Sequence, residues 1–104
     1  AMRNCPSWIV LYFAILKAGG VATLLNGWWE CAEMAHALAL TEPKLVIADA
    51  ARSERISAAA AHCPVLVLPI ELAVEEAVAD LLAADDPAIA LPAVGADDDA
   101  TILF

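Results

Sequence analysis

The side chains that could bind a metal ion are few in this sequence and are not clustered. Glu33 and His36 form one Glu-x-x-His spacing, and Cys63 directly follows His62. A di-iron carboxylate bundle needs two such motifs and two further glutamates, whereas zinc needs three or four ligands. Neither ligand set is present, so the sequence predicts no metal site and places both histidines on polar faces of helices.

Asp49 is a candidate reactive carboxylate because it follows a predicted buried strand. Open α/β sheets bind ligands at the carboxyl ends of their strands, and a receiver domain carries its phosphoacceptor aspartate there. Such a domain also needs an acidic pair after its first strand and a lysine after its last. Leu25-Asn26-Gly27 contains no acidic pair, and no lysine follows Lys44. A non-catalytic, receiver-like binding or regulatory module therefore stays the alternative function.

Two other motifs resemble ligand sites only in composition. Gly19-Gly20 precedes a predicted strand, so its N–H groups do not lie at a helix N-terminus, where a dinucleotide pyrophosphate would bind. Asp97-Asp98-Asp99 offers carboxylates to calcium or magnesium but lacks the spacing of a calcium loop, which favours a solvated turn. The residues by themselves thus assign no catalytic, cofactor-binding or metal-binding role.

Length, composition and charge narrow the class of protein. The chain has 104 residues, a length that allows a single domain. Of these residues, 62% are apolar and 18% are charged. This composition supplies a hydrophobic core and argues against disorder. The formal net charge is -9 and basic residues are not clustered, which argues against a nucleic-acid partner. The acidic excess lies beyond residue 70, where we expect a solvated outer layer.

The apolar pattern predicts that helices alternate with short strands. Helices are predicted over residues 6–17, 33–41, 50–62 and 71–84, and strands over 21–25, 44–48, 65–68 and 101–104. On the third helix, Ile56, Ala59 and Ala60 are predicted to face inward and Arg52, Glu54 and Arg55 outward. Such alternation is typical of right-handed crossovers. The predicted fold class is α/β, a Rossmann-like three-layer parallel sheet with helices on both faces.

The first helix is apolar on every side from Trp8 to Leu16, so we expect it to be covered by a sheet and by further protein. The apolar run is far shorter than the ~20 residues that cross a bilayer, and Lys17 and Gly19-Gly20 interrupt its continuation. Together with an odd number of widely spaced cysteines, this favours a cytoplasmic location. The sequence opens at a helix cap and closes on a strand, which predicts a fragment of a larger protein.

Several motifs occur in an order and spacing that a known family shares. They are Asn4-Cys5-Pro6, Trp8 to Phe13, Ala14-Ile15-Leu16-Lys17-Ala18-Gly19, Leu25-Asn26, Glu33 to Leu40 and Lys44 to Ile47. From Met2 to Asp49 the chain resembles the N-terminal region of the adenylate-forming, AMP-binding superfamily, in particular its acyl-CoA synthetases (fatty-acid-CoA ligases). The six-residue block beginning at Ala14 is the most specific. Residues 97–104 resemble the acidic lead and strand that introduce the family's phosphate-binding loop, which would follow Phe104.

The resemblance implies a parent enzyme that uses ATP and magnesium to convert a carboxylic acid, such as a fatty acid, to an acyl-adenylate and then to acyl-CoA. Residues 1–104 would be a single fragment of its large N-terminal domain, an N-terminal subdomain that is inactive alone. It would contain none of the ATP, magnesium or CoA sites. The implied partners are the remainder of the enzyme and its acid substrate. A homodimer, for which this piece would be an oligomerising lobe, and peripheral membrane contact stay open.

One turn departs from the family pattern. Relatives often place Ser or Thr at the helix cap after Leu-Asn, whereas this chain has Gly27-Trp28-Trp29-Glu30. Glu30 is sterically a poor cap, although its charge suits a helix N-terminus. One interpretation of the paired tryptophans is a contact with the rest of the enzyme, a partner subunit or a lipid surface. The favoured interpretation is that one or both pack on the domain's own core.

We predict that the three cysteines, Cys5, Cys31 and Cys63, are unpaired and bind no metal, because their spacing forms neither a disulfide framework nor a zinc motif. Thiol titration of the denatured, unreduced protein should give three groups per chain. A single titratable thiol would show that two of them are bridged.

Overall fold

The computed structural model describes residues 1–57, 63–84 and 86–104. Helices and strands alternate through most of them, in this order: α1 (Pro6–Lys17), β1 (Ala22–Leu24), α2 (Cys31–Thr41), β2 (Val46–Ala48), α3 (Ala50–Ser57), β3 (Val65–Val67), α4 (Val74–Ala77), α5 (Ala79–Ala83) and β4 (Thr101–Leu103). The predicted part of the third helix beyond Ser57, with Ala59, Ala60 and His62, lies outside the described residues.

The limits of α1 follow from its terminal residues, as predicted. Pro6 occupies the first helical position after an extended Cys5, where its missing N–H leaves no hydrogen bond unmade. Gly19 ends the helix with φ +74°, a left-handed conformation that glycine adopts without a steric penalty. Lys17 lies in the last turn, where its charge complements the helix dipole.

Helix α2 begins two residues before the predicted start. The backbone N–H of Glu30 donates to the Glu33 carboxylate at 3.0 Å, which satisfies a group that the first turn would otherwise leave without a partner. Its inner face is the predicted one, because Met34, Ala37 and Leu38 are buried.

The single helix predicted over residues 71–84 is wrong, because the structure divides it into α4 and α5 at Val78. Ala77 and Val78 are buried, but Leu81 and Leu82 are exposed and α5 buries no side chain. Short helices draw most of their stability from packing. The predicted apolar stripe therefore covers the core only through its first half.

The four strands form two parallel pairs. In one pair β1 lies beside β4, with Ala22 opposite Thr101, and in the other β2 lies beside β3, with Val46 opposite Val65. Parallel pairing confirms an α/β domain with short parallel strands. The described residues do not join the pairs into one sheet, because a groove of about 680 Å³ separates β1 from β2. The predicted single three-layer, Rossmann-like sheet is therefore not observed.

Two apolar clusters form the core. Met34, Leu38, Val46, Ala48 and Ile56 make the first, between α2, β2 and α3. Met2, Leu11, Leu68 and Val78 make the second, where α1 approaches α4.

The outer face of α1 is not covered by the described residues. Ser7 and Leu11 are buried, but Ile9, Val10 and Phe13 are exposed. Coverage on most sides, which the sequence predicts, is therefore not reached within this part of the chain. Among the described helices none is long and apolar enough to cross a membrane.

We predict that Met34→Ala lowers the free energy of unfolding by about 2–5 kcal/mol, because the Met34 side chain is 0% exposed in the first cluster. Leu40→Ala on the same helix is the matched control. Leu40 is 66% exposed, so its truncation should cost about 0.5 kcal/mol or less. Urea denaturation of both variants measures the difference, and equal losses would show that α2 presents a different face to the core.

Candidate functional site

The carboxyl ends of the parallel strands are where an α/β protein binds ligands. In this chain a cleft of about 650 Å³ lies at that edge. It is lined by residues that follow β1 and β4, by the start of α3 and by the first residues of the chain, among them Asn4, Asn26, Trp28, Arg52 and Phe104.

Asp49 organises this edge from a buried position, where its side chain is 4% exposed. Its Oδ2 accepts the backbone N–H of Arg3 at 2.8 Å and a guanidinium N–H of Arg52 at 3.0 Å. Its Oδ1 accepts the backbone N–H of Arg52, also at 3.0 Å, which caps α3. Both carboxylate oxygens are thus engaged, and Asp49 holds α3 against the segment that begins the chain.

The pKa of Asp49 reflects two opposing causes. Burial raises it, but the two backbone N–H donors and the Arg52 guanidinium stabilise the carboxylate and together hold the pKa below its usual 3.8. Asp49 is therefore ionised at neutral pH. With its oxygens occupied and its side chain buried, it lacks the accessible oxygen that a phosphoacceptor needs, which argues against the receiver-like alternative.

Arg52 and Arg55 face inward, and their predicted outward orientation is wrong. The Arg55 guanidinium donates to the backbone carbonyls of Gly27 at 3.3 Å and Trp29 at 3.2 Å. These two carbonyls belong to the turn after β1, so α3 holds that turn in place. Helical periodicity could only assign the arginines to the polar face of α3. It could not locate the carbonyls that Arg55 contacts, because they lie more than twenty residues away in the sequence.

The Arg52 side chain approaches the backbone of Gly27 closely. A Cβ atom added at Gly27 would lie 2.9 Å from Arg52 Nε. The same Nε is buried and has no hydrogen-bond partner among the described residues. Any side chain at residue 27 would therefore require the Arg52 side chain to shift.

The paired tryptophans have different environments. Trp29 packs against the first apolar cluster and makes an edge-to-face contact with Phe104, with ring centroids 5.6 Å apart. Trp28 is 85% exposed, and its backbone N–H donates to the Asn26 side chain at 3.0 Å. The prediction that one or both tryptophans pack on the domain's own core is correct for Trp29 alone.

The helix N-termini at this edge do not fit a nucleotide phosphate. A phosphate at such a site is bound by backbone N–H groups that have no other partner. Here Glu33 accepts the N–H at the start of α2, and Asp49 accepts the one at the start of α3. A carboxylate thus already lies at each of these helix starts, and its charge would repel a polyphosphate.

The remaining candidate ligands are dispersed. His36 is exposed, as predicted, and the described residues contain no group of three or more His, Cys, Asp or Glu side chains that could hold a metal ion. Asp98 accepts the backbone N–H of Gly95 at 2.7 Å in an exposed turn, which agrees with the turn predicted for the aspartate run.

The fold and this edge define an α/β domain with short parallel strands and a cleft at their carboxyl ends. A family model described as AMP-binding enzyme matches residues 1–104, and the chain belongs to that family. The resemblance found in the sequence is thereby confirmed.

One solved structure matches closely. It is apo MatB from Rhodopseudomonas palustris, which is 32% identical to this chain and superimposes with a TM-score of 0.79. The match covers 98% of this chain and 20% of MatB, so the chain corresponds to about a fifth of that protein's length. No curated protein sequence matches the chain.

We predict that Asp49→Asn lowers the free energy of unfolding at pH 7 by about 1–3 kcal/mol, because asparagine keeps an oxygen for the cap but removes the charge that Arg52 faces. Since the folded-state pKa is below 3.8, the stabilisation by the carboxylate is present above that value and is lost as the pH falls through the folded pKa.

Urea denaturation at a series of pH values tests both parts of this prediction. The difference in the free energy of unfolding between wild type and Asp49→Asn should be constant from pH 7 to pH 5 and become smaller below pH 3.8. Asp97→Asn, at an exposed aspartate, is the control and should change little. A difference in the free energy of unfolding that does not vary with pH would show that the substitution destabilises the fold through altered packing and not through the lost charge.

Proposed function

We propose that this chain is the scaffold part of an ATP-dependent acyl-CoA synthetase. In the first half-reaction of such an enzyme, a carboxylate oxygen attacks the α-phosphorus of ATP, which forms an acyl-adenylate and releases pyrophosphate. The thiol of CoA then displaces AMP to give acyl-CoA. The observation that carries the proposal is the match of the AMP-binding enzyme family over all 104 residues.

In this proposal the ATP, magnesium and CoA sites are formed by residues outside this chain. Two observations support it: carboxylates accept the N–H groups at the starts of α2 and α3, and the net charge of -9 opposes a polyphosphate. We also propose that the phosphate-binding loop follows Phe104. Because β4 is parallel to β1, a loop that follows β4 would emerge at the strand-end cleft.

The role of this chain is then to position that loop. Phe104 contacts Trp29, and the backbone N–H of Phe104 donates to the carbonyl of Leu24 at 3.4 Å. The turn that carries Trp29 is in turn held by Arg55. The path from α3 to the end of β4 therefore consists of direct contacts, and it would orient whatever follows Phe104.

We further propose a carboxylic acid, with fatty acids as the first class to test, as the substrate of the full-length enzyme, and the cytoplasm as its location. No contact among the described residues favours a particular acyl length. A panel of acids should therefore include short, dicarboxylic, medium and long chains.

The test compares the 104-residue chain with the full-length enzyme. The isolated chain should show no heat of binding with magnesium-ATP and no exchange of pyrophosphate into ATP with acetate, malonate, octanoate or palmitate. The full-length enzyme should bind magnesium-ATP and catalyse the exchange with at least one of these acids.

Two outcomes would contradict the proposal in different ways. Binding of magnesium-ATP by the isolated chain would show that the nucleotide site lies within residues 1–104. A full-length enzyme that binds ATP but supports no exchange with any carboxylic acid would show that it is not an acyl-CoA synthetase.

A further inference from the structure

The register of β4 against β1 is not set by burial. Each of the three residues of β4 is exposed among the residues that the structure describes. The register of a strand is strongly specified where one of its faces is buried, and weakly specified where neither is. A specific contact is therefore needed to hold β4 in the observed register, with Thr101 opposite Ala22.

A hydrogen bond from α1 supplies such a contact. The hydroxyls of Tyr12 and Thr101 lie 2.8 Å apart, although the two residues are 89 positions apart in the sequence. A shift of β4 by one residue would bring Ala100 or Ile102 to the place of Thr101, and neither side chain can form a hydrogen bond. The pair of hydroxyls thus distinguishes the observed register from its two nearest alternatives.

Neighbouring aromatic rings orient the Tyr12 side chain. Its ring is stacked on that of Trp8, with ring centroids 5.9 Å apart, and makes an edge-to-face contact with Phe13 at 5.2 Å. Trp8 also packs against the second apolar cluster. A tyrosine ring held by such contacts has few rotamers left to lose when its hydroxyl bonds. Helix α1 therefore presents this hydroxyl from a defined position.

The segment that leads into β4 contacts α1 a second time, just beyond the helix. A Cβ atom added at Gly19 would lie 2.7 Å from Pro92 Cγ and 3.9 Å from a Val94 methyl carbon. The Pro92 ring thus lies directly against the Gly19 backbone. Two separate contacts, at Gly19 and at Tyr12, determine the direction in which the chain enters β4 as well as its position.

The register at the start of β4 also determines where the strand ends. At ~3.3 Å per residue, Phe104 lies about 10 Å beyond Thr101. The backbone N–H of Phe104 donates to the carbonyl of Leu24 at 3.4 Å, and a change of register would break this bond. The position of whatever follows Phe104 consequently depends on the contact between Tyr12 and Thr101.

We propose that Tyr12 is a positioning residue of the acyl-CoA synthetase. It holds β4 in register through Thr101, and β4 sets the position of the phosphate-binding loop that follows Phe104. The inference rests on the proposed function, which places that loop after β4. Tyr12 contacts no substrate in this proposal and changes the affinity for magnesium-ATP only through the position of the loop.

Four single variants and one double variant of the full-length enzyme test the proposal. Tyr12→Phe and Thr101→Val each remove one hydroxyl and nearly keep the shape of the side chain, whereas Thr101→Ser keeps the hydroxyl. Thr41→Val is the matched control, because the Thr41 hydroxyl donates to the Ala37 carbonyl within its own helix at 2.8 Å. Calorimetry measures the dissociation constant of magnesium-ATP, and pyrophosphate exchange measures the KM for the carboxylic acid.

Tyr12→Phe should weaken the binding of magnesium-ATP about fivefold, the factor that corresponds to one neutral hydrogen bond. Thr101→Val should have the same effect. The double variant should bind no more weakly than either single variant, because all three lose one and the same bond. Thr101→Ser and Thr41→Val should bind like the wild type. The KM for the acid should be unchanged throughout, which a general loss of folded enzyme structure would not produce.

Equal dissociation constants for wild type and Tyr12→Phe would overturn the proposal. Additive losses in the double variant, or an equal loss in Thr101→Ser or Thr41→Val, would also overturn it, because the pair of hydroxyls would then not be the cause. A parallel rise in the KM for the acid would do the same. A wild-type enzyme that does not bind magnesium-ATP would contradict the proposed function as well, whereas unchanged binding by the variants contradicts this inference alone.

Discussion

The ion pair and hydrogen bonds around Asp49 are the interaction on which the strand-end edge of this domain depends. One carboxylate caps α3, binds the guanidinium of Arg52 and accepts the backbone N–H of Arg3. A buried charge is tolerated only when its hydrogen-bonding capacity is met, and each of these partners contributes to that. Without the carboxylate, the backbone N–H of Arg3 and the guanidinium of Arg52 would lose their common partner.

The same arrangement shows how the helix starts at this edge are stabilised. Helix N-termini at the ends of parallel strands attract anions, and in this domain the anions are the protein's own carboxylates, Glu33 and Asp49. These carboxylates tie the helix starts to neighbouring backbone at the edge of the cleft. The chain corresponds to 20% of the length of the relative that it matches.

The apolar surfaces that remain exposed have a common explanation in that context. Ile9, Val10 and Phe13 on α1 are exposed, and the edges of β1 and β2 face an apolar groove. Soluble domains rarely leave such surfaces uncovered. The acidic excess lies instead in the last third of the chain, which is mostly exposed. The two kinds of surface are separated, and the apolar ones are suited to protein contacts.

The sequence by itself determined the order of helices and strands, the start of α1 at Pro6, its end near Gly19 and the inner face of α2. These features depend on backbone preferences and on periodicity, which neighbouring residues set. The motifs around the block that begins at Ala14 were also sufficient to indicate the family. The local sequence pattern did not predict that α4 and α5 are separate helices. Packing decides this, and α5 buries no side chain.

Only the tertiary structure decided the orientation of Arg52 and Arg55, the different environments of Trp28 and Trp29, and the separation of the strands into two pairs. Each depends on contacts between residues that are distant in the sequence, such as Arg55 with the turn carbonyls and Trp29 with Phe104. A charged residue on a helix is equally compatible with solvent and with a buried partner until the partner's position is known. Strand edges pair or stay open for the same reason, because pairing requires a second strand at the right distance and direction.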